Sequence, residues 1–252
     1  MKKSFKQDGL QVFIYDTRGE MGAAAAADIE KAVAEVQTEK GFCNMIYAAA
    51  PSQNEVLAAL AGSKKIDWTH VRAFHMDEYI GLTADAPQGF GNFLRAALFE
   101  KVPFGSVYCL DSTAKPETEA ARYAELLREY PVDITVMGIG ENGHIAFNDP
   151  HEAFFDDPKQ VKTVTLDETC RMQQVHDGCF ARLEDVPETA LTLTIPALCA
   201  AGRVFCIVPA RTKARAVYQT LRGPVTEECP ASVLRRHPNA ALYLDQDSAA
   251  KL

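Results

Sequence analysis

Short apolar runs alternate with longer amphipathic stretches along most of the chain, and this alternation predicts its elements. Leu10–Tyr15 reads as a strand, followed by an alanine-rich helix over Gly19–Lys40 that ends near Gly41. Phe42–Ala49 reads as a second strand. Ser52–Ala61 reads as a helix, with Ser52 as N-cap and Glu55 completing a capping box. Strands are expected at His70–Met76 and Val107–Leu110, and helices at Phe90–Glu100 and Glu117–Glu129. Val132–Gly138, dense in β-branched residues, is the clearest buried strand. Further on, Val161–Leu166 alternates like an exposed strand and Ala190–Ile195 reads as another. Arg203–Val208 is a buried strand, Thr212–Leu221 a helix and Ala240–Asp245 a final strand. Such a succession predicts an α/β fold, a mostly parallel Rossmann-like sheet with helices on both faces. No repeat, linker or composition shift divides residues 1–252, so one domain is expected.

In open α/β sheets ligands bind beyond the carboxyl ends of the strands. Three expected strand ends carry dense polar clusters: Pro51 to Asn54, His75 to Tyr79, and Gly140 to His144. The chain has 26 Lys plus Arg against 34 Asp plus Glu, a formal charge of −8, and so lacks the positive field of a nucleic-acid binder. A few local cations can still hold one small anion. No apolar run approaches a membrane span, and the six apolar-rich residues Leu10–Tyr15 do not make a signal peptide. The seven cysteines are odd in number and none pair as C-x-x-C, which argues against a disulfide framework or a cysteine zinc site. A cytoplasmic protein is expected.

Asp77 and Glu78 are adjacent carboxylates just past a buried strand. One can face a cleft, where burial raises its pKa toward neutrality and suits it to proton abstraction beside a carbonyl, while the other faces solvent or a helix N-terminus. A solvated acidic turn is the plain alternative. Gly138 to Pro150, GIGENGHIAFNDP, packs Glu141, Asn142, His144 and Asp149 among three glycines that let backbone approach a ligand, Gly143 included. His144 can relay a proton there, with a carboxylate or amide fixing its tautomer. The G-x-G-x-x-G spacing at 138, 140 and 143 follows the fifth expected strand and opens no helix, so a dinucleotide cofactor is not expected. The histidines show no metal-site spacing, and no G-x-S-x-G elbow is present. Lys213 opens a helix, a misplaced cation unless an anion sits there.

FHMDEYIGL (Phe74 to Leu82) and GIGENGHIAFNDP resemble the two signature segments of the glucosamine-6-phosphate deaminase family. ALTLTIPAL and VPARTKA extend the similarity through most of the chain, in family order. The resemblance implies a Rossmann-like domain without a nucleotide, and conversion of a small phosphorylated amino sugar with no metal or organic cofactor. Glucosamine 6-phosphate would become fructose 6-phosphate and ammonium. It implies that Asp77 is the base moving a proton between C2 and C1, that His144 opens the sugar ring, and that Asp149 supports His144. Asn142 stands where many members have Asp, and Lys213 matches the phosphate-binding lysine.

Three departures bear on substrate binding. Ala48 to Gln53 replaces a glycine-rich phosphate loop, leaving the Ser52 hydroxyl as donor. The family's phosphate-binding arginine falls on Asp177, with Arg171 nearby as a substitute. Asp149 is one methylene shorter than the usual Glu. Ser52, Glu78, Gly143, Arg171 and Lys213 form the expected substrate-binding set. A 6-phosphogluconolactonase is the related alternative, which IAFNDP after His144 disfavours. A non-catalytic sugar-phosphate sensor is the alternative of another class, disfavoured by the complete acid–base set. Family members occur as monomers and hexamers, so a homo-oligomer is possible.

Overall fold

The computed structural model describes residues 1–252. Its strands are β1 (Lys3–Gln7), β2 (Leu10–Ile14), β3 (Cys43–Tyr47), β4 (Val71–His75), β5 (Asp77–Tyr79), β6 (Ser106–Tyr108), β7 (Ile134–Met137), β8 (Val161–Thr165), β9 (Thr189–Leu193), β10 (Arg203–Val208) and β11 (Ala240–Leu244). Eight of them form one sheet in the order β1-β2-β11-β10-β7-β3-β4-β6, parallel throughout except for β1. From β3 the chain winds outward to β4 and β6, then returns on the other side through β7, β10 and β11. The winding therefore reverses between β3 and β7, and a crevice opens at their carboxyl ends.

Side chains alternate across the sheet as the pleat requires. Cys43, Met45 and Tyr47 of β3 enter one core of 35 buried residues, and Ile46 enters a second of 31. Two cores of nearly equal size mean that both faces are covered. The first lies under α1 (Arg18–Lys40) and α2 (Asn54–Ala61), the second under α4 (Pro116–Glu129) and α6 (Ala214–Arg222). Thr17 caps α1 through the Glu20 N–H, and Gly41, at φ 80°, ends it as the sequence suggests.

The structure departs from the expected elements in several places. Ser52 does not cap a helix: Pro51–Gln53 form a tight turn, and α2 starts at Asn54 without a side-chain cap. Glu55 is drawn away from a capping box by Arg18, which bonds it through Nε at 3.0 Å and Nη2 at 2.8 Å. The helix expected over Phe90–Glu100 is one α turn, α3 (Phe90–Leu94), running into a wider π turn at Arg95–Phe99. The β1 strand escapes notice because KSFKQ is polar at every position but Phe5 and mostly exposed. Finally, β5, β9 and β8 form a separate antiparallel sheet. What reads as the tail of β4 is a strand of this second sheet, in which Asp77 pairs with Thr192. Val161–Thr165 is accordingly not simply exposed, since Val161, Lys162 and Val164 are buried.

Candidate active site

The crevice at the switch point holds a cleft of about 470 Å³, counting its open mouth. Ala48 to Ala50 and Ser52 come to it from the end of β3, Asp77 from the β4–β5 junction, and Gly138, Gly140 and His144 from the loop after β7. Lys213 arrives from the turn after β10. Each expected strand-end cluster thus contributes.

Asp77 and Glu78, neighbours on an extended strand, point opposite ways and are pushed apart chemically. Asp77 lines the cleft and is nearly buried. Burial, with the Glu78 charge adding and His75 opposing, lifts its pKa to about 8. Glu78 does not line the cleft, so the expected substrate contact is corrected. Its Oε1 accepts the Phe90 N–H at 3.0 Å and its Oε2 the Gly91 N–H at 2.9 Å, capping α3. Burial pushes its pKa up, but His75, whose Nε2 lies 3.6 Å from Oε2, and the two amides outweigh this and hold it low. The environments assign one neutral-range proton carrier and one fixed anion.

The loop after β7 folds back on itself through Gly140 N–H to His144 O at 2.9 Å and Gly143 N–H to Gly140 O at 3.0 Å. Gly143 sits at φ 90°, where glycine is at ease, with Cys229 behind its α-carbon; it shapes the loop and does not line the cleft, as its place in the binding set would require. The His144 ring lies directly on Gly140: a Cβ there would fall 2.1 Å from Cε1. Nδ1 of His144 is 2.8 Å from Asn142 Oδ1 and 3.3 Å from Asp149 Oδ1. The amide, not the carboxylate, is therefore its nearer partner, and Asp149 shares the supporting role. Asp149 is fully buried. Burial raises its pKa, and His144, the Asn142 amide and the Asp167 N–H together bring it below the ordinary value.

Ala146 in the same loop adopts φ 50° and lines the cleft. Left-handed backbone costs a residue with a Cβ roughly 1–2 kcal/mol, and glycine's extra freedom when unfolded returns about half of that. Ala146→Gly is expected to raise stability by about 0.5–1 kcal/mol, or roughly 1–4 °C in Tm; thermal unfolding of the two proteins checks it. Ala210, three residues before Lys213, also has a positive φ, 80°. Asp245 holds it there by accepting its N–H at 3.1 Å.

Lys213 is buried and lines the cleft. Burial lowers its pKa against the opposing charges of Asp177 and Glu141. The other expected cation is elsewhere. Arg171 donates from Nη2 to Leu183 O and Val186 O, both at 2.9 Å, and so braces a loop outside the cleft. It lies on α5 (Glu168–His176), a helix not anticipated, whose other face carries Gln173 and Gln174 into the cleft. Gln173 Oε1 accepts the Glu141 N–H at 2.8 Å, and its Nε2 donates to Asp177 Oδ2 at 3.3 Å. Asp167, the cap of α5, bonds both Asn142 and Asp149. An Asp just before a helix-compatible run was the signal for both the cap and the helix. His144 and Asp149 of the loop after β7 and Cys170 of α5 bring three metal-capable atoms within 4.8 Å of one another. Their bonds to one another already use them, and burial holds the Cys170 thiol well above its ordinary pKa.

Fold and site together define an α/β protein with an acid–base cleft at the switch point of its sheet. The chain belongs to the family of glucosamine-6-phosphate isomerases and 6-phosphogluconolactonases, whose model matches residues 16–243. It is similar to a glucosamine-6-phosphate deaminase of Exiguobacterium sibiricum, 38% identical over 75% of this chain and 73% of that one. A protein of the same name from Listeria welshimeri is 37% identical over 84% and 89% of the two chains. Among solved structures, a monomeric glucosamine-6-phosphate deaminase superposes with a TM-score of 0.85 at 26% identity, covering 95% of this chain and 98% of the other. A 6-phosphogluconolactonase of Thermotoga maritima shares the fold, with a TM-score of 0.76 at 18% identity. No helix is long and apolar enough to cross a membrane.

Proposed function

We propose that this protein is a glucosamine-6-phosphate deaminase, converting the sugar and water to fructose 6-phosphate and ammonium. One observation carries the reading: a carboxyl that titrates near neutrality and an imidazole held through Nδ1 line the same cleft as a buried ammonium. With Nδ1 engaged, Nε2 of His144 takes the anomeric hydroxyl proton and returns it to the ring oxygen, opening the pyranose. The Asp77 carboxylate removes the C2 proton, giving an enolamine, and delivers it to C1. The resulting C2 iminium adds water, and the carbinolamine expels ammonia. One water is consumed and one C–N bond broken, which makes the reaction hydrolytic as well as an isomerisation.

Lys213, the Ser52 hydroxyl and the Gln174 amide are the donors for the phosphate, with Gln174 in the role first expected of Arg171. A charge-assisted hydrogen bond is worth roughly 1.5–3 kcal/mol. Lys213→Met should therefore raise KM about 10- to 100-fold with a smaller effect on kcat. Steady-state kinetics measure this split. We read residues 1–252 as one domain acting in the cytoplasm, where the seven free cysteines stay reduced.

The test is ammonium release from glucosamine 6-phosphate, galactosamine 6-phosphate and, as control, 6-phosphogluconolactone hydrolysis. Ammonium with fructose 6-phosphate supports the reading. Hydrolysis of the lactone alone would move the protein to the other branch of its family. Thermal stabilisation by the sugar phosphate without turnover would make it a sensor.

A further inference from the structure

Asp167 touches three parts of the site at once. Its Oδ1 accepts the Cys170 N–H at 2.6 Å and caps α5. Its own N–H donates to Asp149 Oδ2 at 3.0 Å. Its Oδ2 accepts from Asn142 Nδ2 at 2.8 Å.

The third bond has consequences for His144. The two ends of an Asn side chain have the same shape and differ only in hydrogen bonding. Nδ2 of Asn142 faces two carboxylate oxygens, Asp149 Oδ1 at 2.9 Å and Asp167 Oδ2 at 2.8 Å. Turned around, the amide would aim an oxygen at both anions and an NH₂ group at the His144 N–H. The two carboxylates therefore fix which end is which. Oδ1 is left 3.0 Å from the His144 N–H and 2.8 Å from Nδ1. An acceptor at that distance requires Nδ1 to carry the hydrogen, so in the neutral ring the lone pair is on Nε2.

We propose that Asp167 is a positioning residue that, through Asn142, selects the Nδ1–H tautomer of His144 and so makes Nε2 the nitrogen available for ring opening. The chain has an amide at position 142 where an Asp could accept the same Nδ1–H directly. In this arrangement Asp149 Oδ1 stands 3.3 Å from Nδ1, and a second negative charge stands behind the amide on Asp167. A carboxylate at 142 would instead be a third anion against Asp149 and Asp167. The catalytic consequence rests on the ring-opening reading of His144, whereas the tautomer is a property of the free protein.

The pair can be exchanged. Asp167→Asn keeps a residue that caps helices well, but sets one NH₂ group against another at the Asn142 contact. Asn142→Asp crowds three carboxylates. Combined, N142D and D167N restore a donor facing an acceptor in the reverse sense. Ring-nitrogen NMR on ¹⁵N-histidine-labelled wild type is expected to show Nδ1 protonated in neutral His144, and D167N to lose that single assignment. In the same proteins kcat should fall about 10- to 100-fold in D167N, on the scale of lost outer-contact residues, with KM changed less than about 3-fold, and the double variant should turn over faster than N142D. A helix cap alone would move melting temperature and leave the ring signature unchanged. The proposal is overturned if D167N keeps the wild-type tautomer, or if the double variant is no better than N142D. An altered ring signature with full ammonium release would instead uphold the tautomer selection and overturn the ring-opening role of His144.

Discussion

Asp77→Asn is expected to lose turnover by about 10³-fold or more while making the protein more stable above neutral pH. The loss follows from removing a positioned base, which contributes roughly 10²–10⁴ in rate; the isosteric amide leaves the cleft and substrate affinity nearly intact. The stability gain follows from linkage. The Asp77 pKa is lifted from its ordinary 3.8 to about 8. Between those values the folded protein holds a proton that the unfolded chain has released, so stability falls as pH rises through that window and levels off above about 8. The amide has nothing to titrate, and the variant should lead the wild type increasingly from acid toward pH 8. Each kcal/mol appears as roughly 2–4 °C in Tm for a chain of this length. Ammonium release and melting curves at pH 6 and pH 9 measure both effects. In wild type, kcat/KM should rise with pH as free Asp77 ionises near 8. Near-normal turnover in the variant would remove Asp77 from the role of base.

Gly140→Ala should be almost as damaging, for a steric reason. Its Cβ would lie 2.1, 2.3 and 2.3 Å from Cε1, Nδ1 and Nε2 of His144. Neither backbone nor ring can share that space, so the ring must swing out and Nδ1 must leave Asn142. Misplacing a catalytic group by about 1 Å costs roughly 10²-fold, and overpacking adds about 1–3 kcal/mol of destabilisation. Gly138→Ala is the matched control, because its Cβ would meet the end of a side chain, Gln53 Nε2, at 3.1 Å. Equal kcat in the two variants would show that the ring position does not govern the reaction.

The placement of polar residues beyond the carboxyl ends of the core strands was legible in the sequence. Asp77, His144, Asp149 and Lys213 all come from such ends, and the hydrophobic rhythm that defines the parallel strands also points to them. Glu78 and Arg171 were not legible, because their roles depend on partners brought from other segments. The amides that Glu78 caps belong to Phe90 and Gly91, and the carbonyls that hold Arg171 belong to Leu183 and Val186. The small antiparallel sheet was hidden for a similar reason. Asp77–Tyr79 follows β4 after a single residue, so no turn signal separates the two strands. Asp167 was within reach, since an Asp before E-T-C-R-M-Q-Q is a helix start, but its bond to Asn142 was not.

The strand order also bears on how the protein is made. β2, near the amino terminus, has only β1 and β11 as neighbours, and β11 ends at Leu244. While the chain is being synthesised, the first hairpin has nothing to join until Leu244 has left the ribosome, and a two-stranded hairpin alone is marginal in water. The residue that follows, Asp245, holds Ala210 in the turn that presents Lys213. The nascent chain thus acquires its buried cation and closes its sheet in one late event, and a polypeptide interrupted before that point should neither bind the sugar phosphate nor resist a protease.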